Sequence, residues 1–203
     1  MKQKPGWVLP DLKEAQKRTT NTIDRIDTFT IPEVARMMGR GKTYFISTYG
    51  CQANERDSET LAGILDELGF TPNETAEGSD VIIINTCAIR QNAEEKVLGE
   101  IGNFKRLYRE NKDLIIGVCG CMAQEEGLVE TLLTKYPQVR LLFGTHNIQE
   151  LPSMLYSCMF EGKKVVKIYS KEGEVYENLP VHRFGTFKAW VNIMYGCDKF
   201  CTY

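Results

Sequence analysis

YGCQAN, Tyr49 to Asn54, is the stretch that decides the fold. A short apolar run, YFIST (Tyr44 to Thr48), leads into it. ERDSETLAGILDELGF leads out, and there Leu61, Ile64, Leu65 and Leu68 fall at i, i+3, i+4 and i+7, one apolar helical stripe. Cys51 is therefore expected on a turn from a strand into a helix. Two further segments repeat the arrangement. VIIINTCAIR sets Cys87 directly after an apolar run, and LIIGVCGCMAQ sets Cys121 after another. VIIIN (Val81 to Asn85) has no polar alternation, which suits a strand covered on both faces. Strands alternating with helices imply an α/β fold, a parallel sheet with right-handed crossovers. Ligands of such sheets bind outside the carboxyl ends of the strands. Cys51, Cys87 and Cys121 are thus expected at one edge of one sheet.

Outward from this centre, helices are expected over about 91–108, over EEGLVETLLTKY, and over NIQELPSMLYSCMFEG with Asn147 as cap. The unit runs from about residue 41 to 162. Residues 1–40 are polar, mixed in charge and without a fixed apolar period, so they read as an extension ordered where it docks. Within it TIPEVARMMG suits a short helix, with Pro32 in its first turn. Residues 163–186 read as a linker with one strand, VVKIY. Residues 187–203 read as the start of a new domain, in which Phe187, Ala189, Val191, Ile193 and Tyr195 alternate with other residues as in a first strand.

Apolar residues make up 42% of the 203 residues and charged ones 26%, the balance of a globular protein. The net charge of −2 argues against a basic nucleic-acid-binding domain. There is no apolar run near the ~20 residues of a membrane span, and the N-terminus lacks a signal peptide's apolar core. The expected location is the cytoplasm. In that reducing compartment the seven cysteines point to metal binding or catalysis and away from a disulfide framework.

YGC, NTC and CGC are turn chemistry at three equivalent places, and the following helices aim positive ends at the same edge, which favours thiolate. Three readings stand side by side: buried inert thiols, a zinc site, and an iron–sulfur cluster. Zinc needs a fourth ligand, for which Cys119 or His146 is available. A four-iron cluster on three cysteines leaves one iron open. Cys119 otherwise reads as packing, and Cys158 shares a helix face with Leu151 and Leu155. Cys197 and Cys201 form CxxxC just before the last residue, Tyr203.

TYGCQANERDSE, INTCAIRQNAEEKVLGEIGNFK, GCMAQEE, FGTHN and WVNIMYGCDKFCTY together resemble the radical S-adenosylmethionine tRNA methylthiotransferase family. The wording is closest to members that methylthiolate isopentenyl-adenosine beside the anticodon. The resemblance covers about residues 42–203. It implies a flavodoxin-like N-terminal domain whose auxiliary 4Fe-4S cluster is held by Cys51, Cys87 and Cys121. It also implies a partial barrel whose CxxxCxxC holds a second 4Fe-4S cluster. Cys197 and Cys201 match the first two of those ligands; the third is absent, so the sequence reads as the N-terminal part of a longer enzyme, inactive by itself.

In the family, S-adenosylmethionine yields a radical that takes hydrogen from C2 of the adenine, and sulfur from the auxiliary cluster fills the vacancy. The implied partners are the tRNA anticodon stem-loop and a reductant such as flavodoxin. Asn54, Asn85 and Thr86 flank the ligands, either as hydrogen-bond donors to cluster sulfur or simply as turn formers. Arg56 and Arg90 read equally as RNA-phosphate contacts or as ordinary surface charges. The alternative function is a zinc-binding or redox-sensing α/β module without catalysis.

Overall fold

The computed structural model describes residues 24–26, 28–87, 93–168 and 174–191. Its strands in chain order are β1 (Asp24–Ile26), β2 (Thr43–Tyr49), β3 (Thr71–Pro72), β4 (Val81–Thr86), β5 (Ile115–Gly120), β6 (Val139–Phe143), β7 (Val165–Lys167) and β8 (Glu174–Tyr176). The α-helices are α1 (Gln52–Glu67), α2 (Ala93–Glu110), α3 (Glu126–Lys135) and α4 (Leu151–Phe160). Strands β2 to β7 form one sheet in the order β3–β2–β4–β5–β6–β7, with every neighbouring pair parallel. The chain steps outward from β2 to β3, then returns past β2 to β4 and continues the other way. This is the flavodoxin-like order, lengthened by β7. Its switch point lies between the carboxyl ends of β2 and β4.

The unbroken apolar runs are explained by two cores. Ile83 and Ile115 face one side with Leu61, Ile64, Leu65 and Leu68 of α1 and with Leu151, Leu155 and Cys158 of α4. Ile82, Ile84, Ile116 and Val118 face the other side with Val97, Ile101 and Phe104 of α2 and Leu128 and Leu132 of α3. Successive strand residues point to opposite faces, so a strand covered on both must be apolar at every position. Each fully buried isoleucine contributes about 1.5–3 kcal/mol relative to exposure, which makes β4 and β5 the firmest part of the sheet.

Other elements depart from the sequence reading in informative ways. The short helix expected in TIPEVARMMG is one 3-10 turn, Glu33–Ala35, preceded by Pro32. Its Ile31, Ala35 and Met38 sink into the core beside α1 and α4. The last helix begins at Leu151 with Pro152 in its first turn, the position that proline favours. Residues 147–150, read as its start, belong to a 3-10 turn over Thr145–Glu150. Within the segment read as a linker, β7 is the sixth strand of the sheet, and β8 pairs in parallel with β1. Residues 187–191 are described without strand structure, and 192–203 lie outside the described residues. Among the described residues no helix is long and apolar enough to cross a membrane.

Candidate metal centre

Strand register brings the cysteine turns together. Tyr49 lies opposite Thr86, and Thr86 lies opposite Gly120. Cys87 and Cys121 each follow the end of their strand by one residue, and Cys51 follows Tyr49 by two. All three therefore leave the sheet at one level, from adjacent strands, with Cys51 and Cys87 flanking the switch point. The Cys87 amide donates to the Tyr49 carbonyl at 2.9 Å, tying the second turn to the first strand. A Cβ on Gly50 would meet the Cys87 Cβ at 2.9 Å, so glycine there lets the two turns approach. Gly120 has φ +97° and ψ −172°, a conformation almost confined to glycine. It turns the chain into the 3-10 segment Cys121–Gln124.

The turns are locked by a buried polar network. Asn54 and Asn85 are each 1% exposed. Asn54 Oδ1 accepts the Cys51 amide at 3.1 Å and the Cys51 thiol at 3.4 Å. Its place at the third helical position makes this one half of a capping box. Asn54 Nδ2 donates to Asn85 Oδ1 at 3.1 Å. Asn85 Nδ2 donates to the Asn54 carbonyl at 2.9 Å and to Ser58 Oγ at 3.0 Å, and Ser58 Oγ lies 2.7 Å from Thr48 Oγ1. Thr86 Oγ1 donates to Met122 Sδ at 3.3 Å, joining the second turn to the third. Both Asn85 amide hydrogens are taken up by protein acceptors.

The thiols differ in setting. All three are free; Cys87 is buried, Cys51 half-buried and Cys121 exposed. Partial burial pushes the Cys121 thiol up, and the neighbouring Cys87, Asp57 and Cys51 push it further. Helix ends were expected to favour thiolate along this edge; at Cys121 desolvation and like charge prevail. Such mutual repulsion is what a bound cation relieves. Cys119 sits in the core on the α1 face, its thiol pushed well up by burial. Cys158 is buried against α4's neighbours, and burial raises it to about 11. His146 lies exposed after β6 and acts electrostatically on Asp57. Arg56 is held by Asp57 at 2.7 Å. Arg90, Cys197 and Cys201 lie outside the described residues.

The donor set can be tested against the groups that the sequence suggested. Among the described residues no three His, Cys, Asp or Glu side chains are grouped tightly enough to hold a metal ion. Three free thiols on three adjacent turns are soft donors of the kind that zinc and iron–sulfur clusters both take.

Several residues of this site were missed in the sequence. Ser58 and Thr48 carry hydroxyls too common to single out. Asp57 is buried one turn and a half along α1, and burial raises its carboxyl despite Arg56. Glu100 on α2 accepts Ser47 Oγ at 3.1 Å near the end of β2, and burial raises its carboxyl too. A folded-state carboxyl pKa above the unfolded value gives stability that is full below the unfolded pKa and lost as pH rises through the folded one. Glu100→Gln should therefore remove part of the fall in stability between mildly acidic and neutral pH. Urea midpoints for both proteins at pH 5 and pH 7 check this, and an unchanged pH dependence would count against it.

Comparison with known proteins covers the same residues. The model of the family described as uncharacterized protein family UPF0004 matches residues 43–144, from β2 to just past β6. The chain is 56% identical over 194 residues to a tRNA-2-methylthio-N(6)-dimethylallyladenosine synthase of Staphylococcus saprophyticus, covering 96% of this chain and 38% of that protein. It is 55% identical over 194 residues to the synthase of the same name from Geobacillus thermodenitrificans, covering 96% of this chain and 37% of that protein. A Bacillus licheniformis protein of that name is 53% identical over 197 residues, covering 97% of this chain and 39% of its own length. The chain thus spans well under half the length of these relatives. With the matched segment taking in β2, β4 and β5 and all three cysteine turns, the chain belongs to uncharacterized protein family UPF0004.

Proposed function

We propose that this chain is the sulfur-supplying part of a tRNA methylthiotransferase that acts on C2 of isopentenyl-adenosine next to the anticodon. The observation that carries the reading is the convergence of three cysteine turns, from β2, β4 and β5, at the switch point of a flavodoxin-like sheet. Its similarity to relatives named for methylthiolating dimethylallyladenosine in tRNA supports the substrate.

Cys51, Cys87 and Cys121 would hold an auxiliary 4Fe-4S cluster. When bound, such a cluster supplies an iron free of protein ligands, where sulfur can be handed over. The residues around it orient the ligands. Asn54 holds the Cys51 turn by accepting its amide, and Asn85 ties that turn to β4. Thr86 and Met122 link the turns of Cys87 and Cys121. Cys119 and His146 stay outside the ligand set, as an open iron requires. Cys197 and Cys201 would serve the second 4Fe-4S cluster, which binds S-adenosylmethionine in the whole enzyme. A reductant such as flavodoxin and the tRNA anticodon stem-loop are the partners, in the cytoplasm. A zinc-binding or redox-sensing module without catalysis is the other reading; the similarity to relatives named as methylthio-dimethylallyladenosine synthases speaks against it.

The test is nucleoside composition. The whole enzyme, supplied to cells lacking it, should restore the methylthio group on isopentenyl-adenosine in tRNA, and its Cys51→Ala form should not. Restoration by Cys51→Ala would sink the proposal.

A further inference from the structure

Residues 180–190 lie along α1, and each contact meets the same stripe of the helix. The His182 ring, Nδ1, is 2.6 Å from Asp66 Oδ2, and the His182 amide donates to the Glu59 carbonyl at 2.9 Å. Arg183 Nη1 donates to Glu59 Oε2 at 2.6 Å, where the Glu59 side chain is only 6% exposed. Lys188 Nζ donates to Glu55 Oε2 at 2.8 Å and stands 4.0 Å from the centre of the Trp190 ring. Between these pairs, a Cβ on Gly63 would lie 2.5 Å from the Pro180 carbonyl carbon. Glu55, Glu59, Gly63 and Asp66 fall at intervals of four, four and three, one face of α1. Three acids on the helix thus meet three basic side chains, with a glycine where backbone packs on backbone. A glycine inside a helix costs roughly 0.5–1 kcal/mol relative to alanine. The close approach of Pro180 is the compensating use for it.

The segment runs antiparallel to the helix. From Asp66 to Glu55 the axis covers about 16 Å. Six extended residues, from His182 to Lys188, reach about 20 Å, enough to span that length. Glu55 is one turn past Cys51, so the segment brings Val191 toward the end of the sheet that bears the cysteine turns.

We propose that residues 180–190 are a positioning strap, with Arg183 on Glu59 as its anchor, that fixes Val191 at the end of α1 next to the cysteine edge. Its purpose rests on the function proposed above; its existence does not. Arg183 and Gly63 are positioning residues and touch no reacting atom.

A carbodiimide converts the Lys188–Glu55 ion pair into an amide bond, releasing water to the reagent as a urea, and mass spectrometry finds the linked peptides. The wild-type chain should give this cross-link. Arg183→Ala removes the partner of a buried carboxylate and should lower the yield about tenfold or more. Gly63→Ala favours the helix yet should also lower the yield, which separates strap release from loss of fold. Unchanged yield in both variants would overturn the strap. In the whole enzyme both variants should slow tRNA methylthiolation about tenfold while iron and sulfide per chain stay constant; full turnover would overturn the positioning role. If the wild type takes up no iron and sulfide, the proposed function fails while the cross-link still decides the strap.

Discussion

Replacing Gly120 with alanine is expected to lower the stability of the chain by about 3 kcal/mol or more, through backbone strain and overpacking. The added methyl would overlap the Thr86 carbonyl oxygen and stand 2.7 Å from Asn85 Oδ1 and 2.9 Å from the Thr86 nitrogen. The backbone at φ +97° offers a side chain no relief. None of these neighbours can give way, because Thr86 is a ladder partner of Gly120 and Asn85 sits in the buried network. The loss is a large share of a typical domain's 5–15 kcal/mol. Gly99→Ala on α2 is the control: nothing lies within 4 Å of its added Cβ, so the helix should gain up to about 1 kcal/mol. Guanidinium midpoints monitored by circular dichroism compare the two. An unchanged midpoint for Gly120→Ala would refute the account of this turn.

Asn85→Ala should cost about 2–4 kcal/mol, more than an average side-chain hydrogen bond, because it breaks a buried network at its centre. The substitution removes two donated bonds, to the Asn54 carbonyl and Ser58, and the acceptor of Asn54 Nδ2. It strands the Asn54 amide where only 1% of that residue is exposed. It also frees the Cys51 turn from β4. Urea unfolding measures the first consequence. The second is a rise in the rate at which Cys51 of the metal-free chain is alkylated, read by peptide mapping, with buried Cys158 as the internal reference. A loss below ~0.5 kcal/mol would mean that water replaces the network without penalty.

What could be read from the sequence divides along a physical line. Signals carried by neighbouring residues were legible. The apolar runs Val81–Asn85 and Leu114–Cys119 gave two buried strands, and the stripe through Leu61 and Leu68 gave α1. The parallel sheet came with them, because short crossovers leave few alternatives, and so did the meeting of Cys51, Cys87 and Cys121 at one edge. Pairings between distant residues were not legible. The strand in VVKIY was legible, but not its place as the sixth strand of the sheet; β1 and β8 are strands of three residues, too short for a periodic signal, and these pairings are set by what the strands find in space. Residues 180–186 of the strap read as a linker and 187–190 as the start of a strand, because Lys188, Arg183 and His182 look like ordinary surface charges until α1 lies beneath them. The carboxylates Asp57 and Glu100 carry no motif; only burial singles them out. Pro152 was a local signal misjudged: Asn147 competes as a cap, but proline's preference for the first turn sets the start of α4.

The central claim is that three turns of one sheet share one iron–sulfur cluster, and anaerobic reconstitution with iron and sulfide tests it most directly. The wild-type chain should take up about four irons with matching sulfide. Cys51→Ala, Cys87→Ala and Cys121→Ala should each lose that uptake. Cys119→Ala and Cys158→Ala, both altered within the core, should keep it. Stoichiometric zinc without sulfide, or undiminished iron in any of the first three variants, would contradict the account.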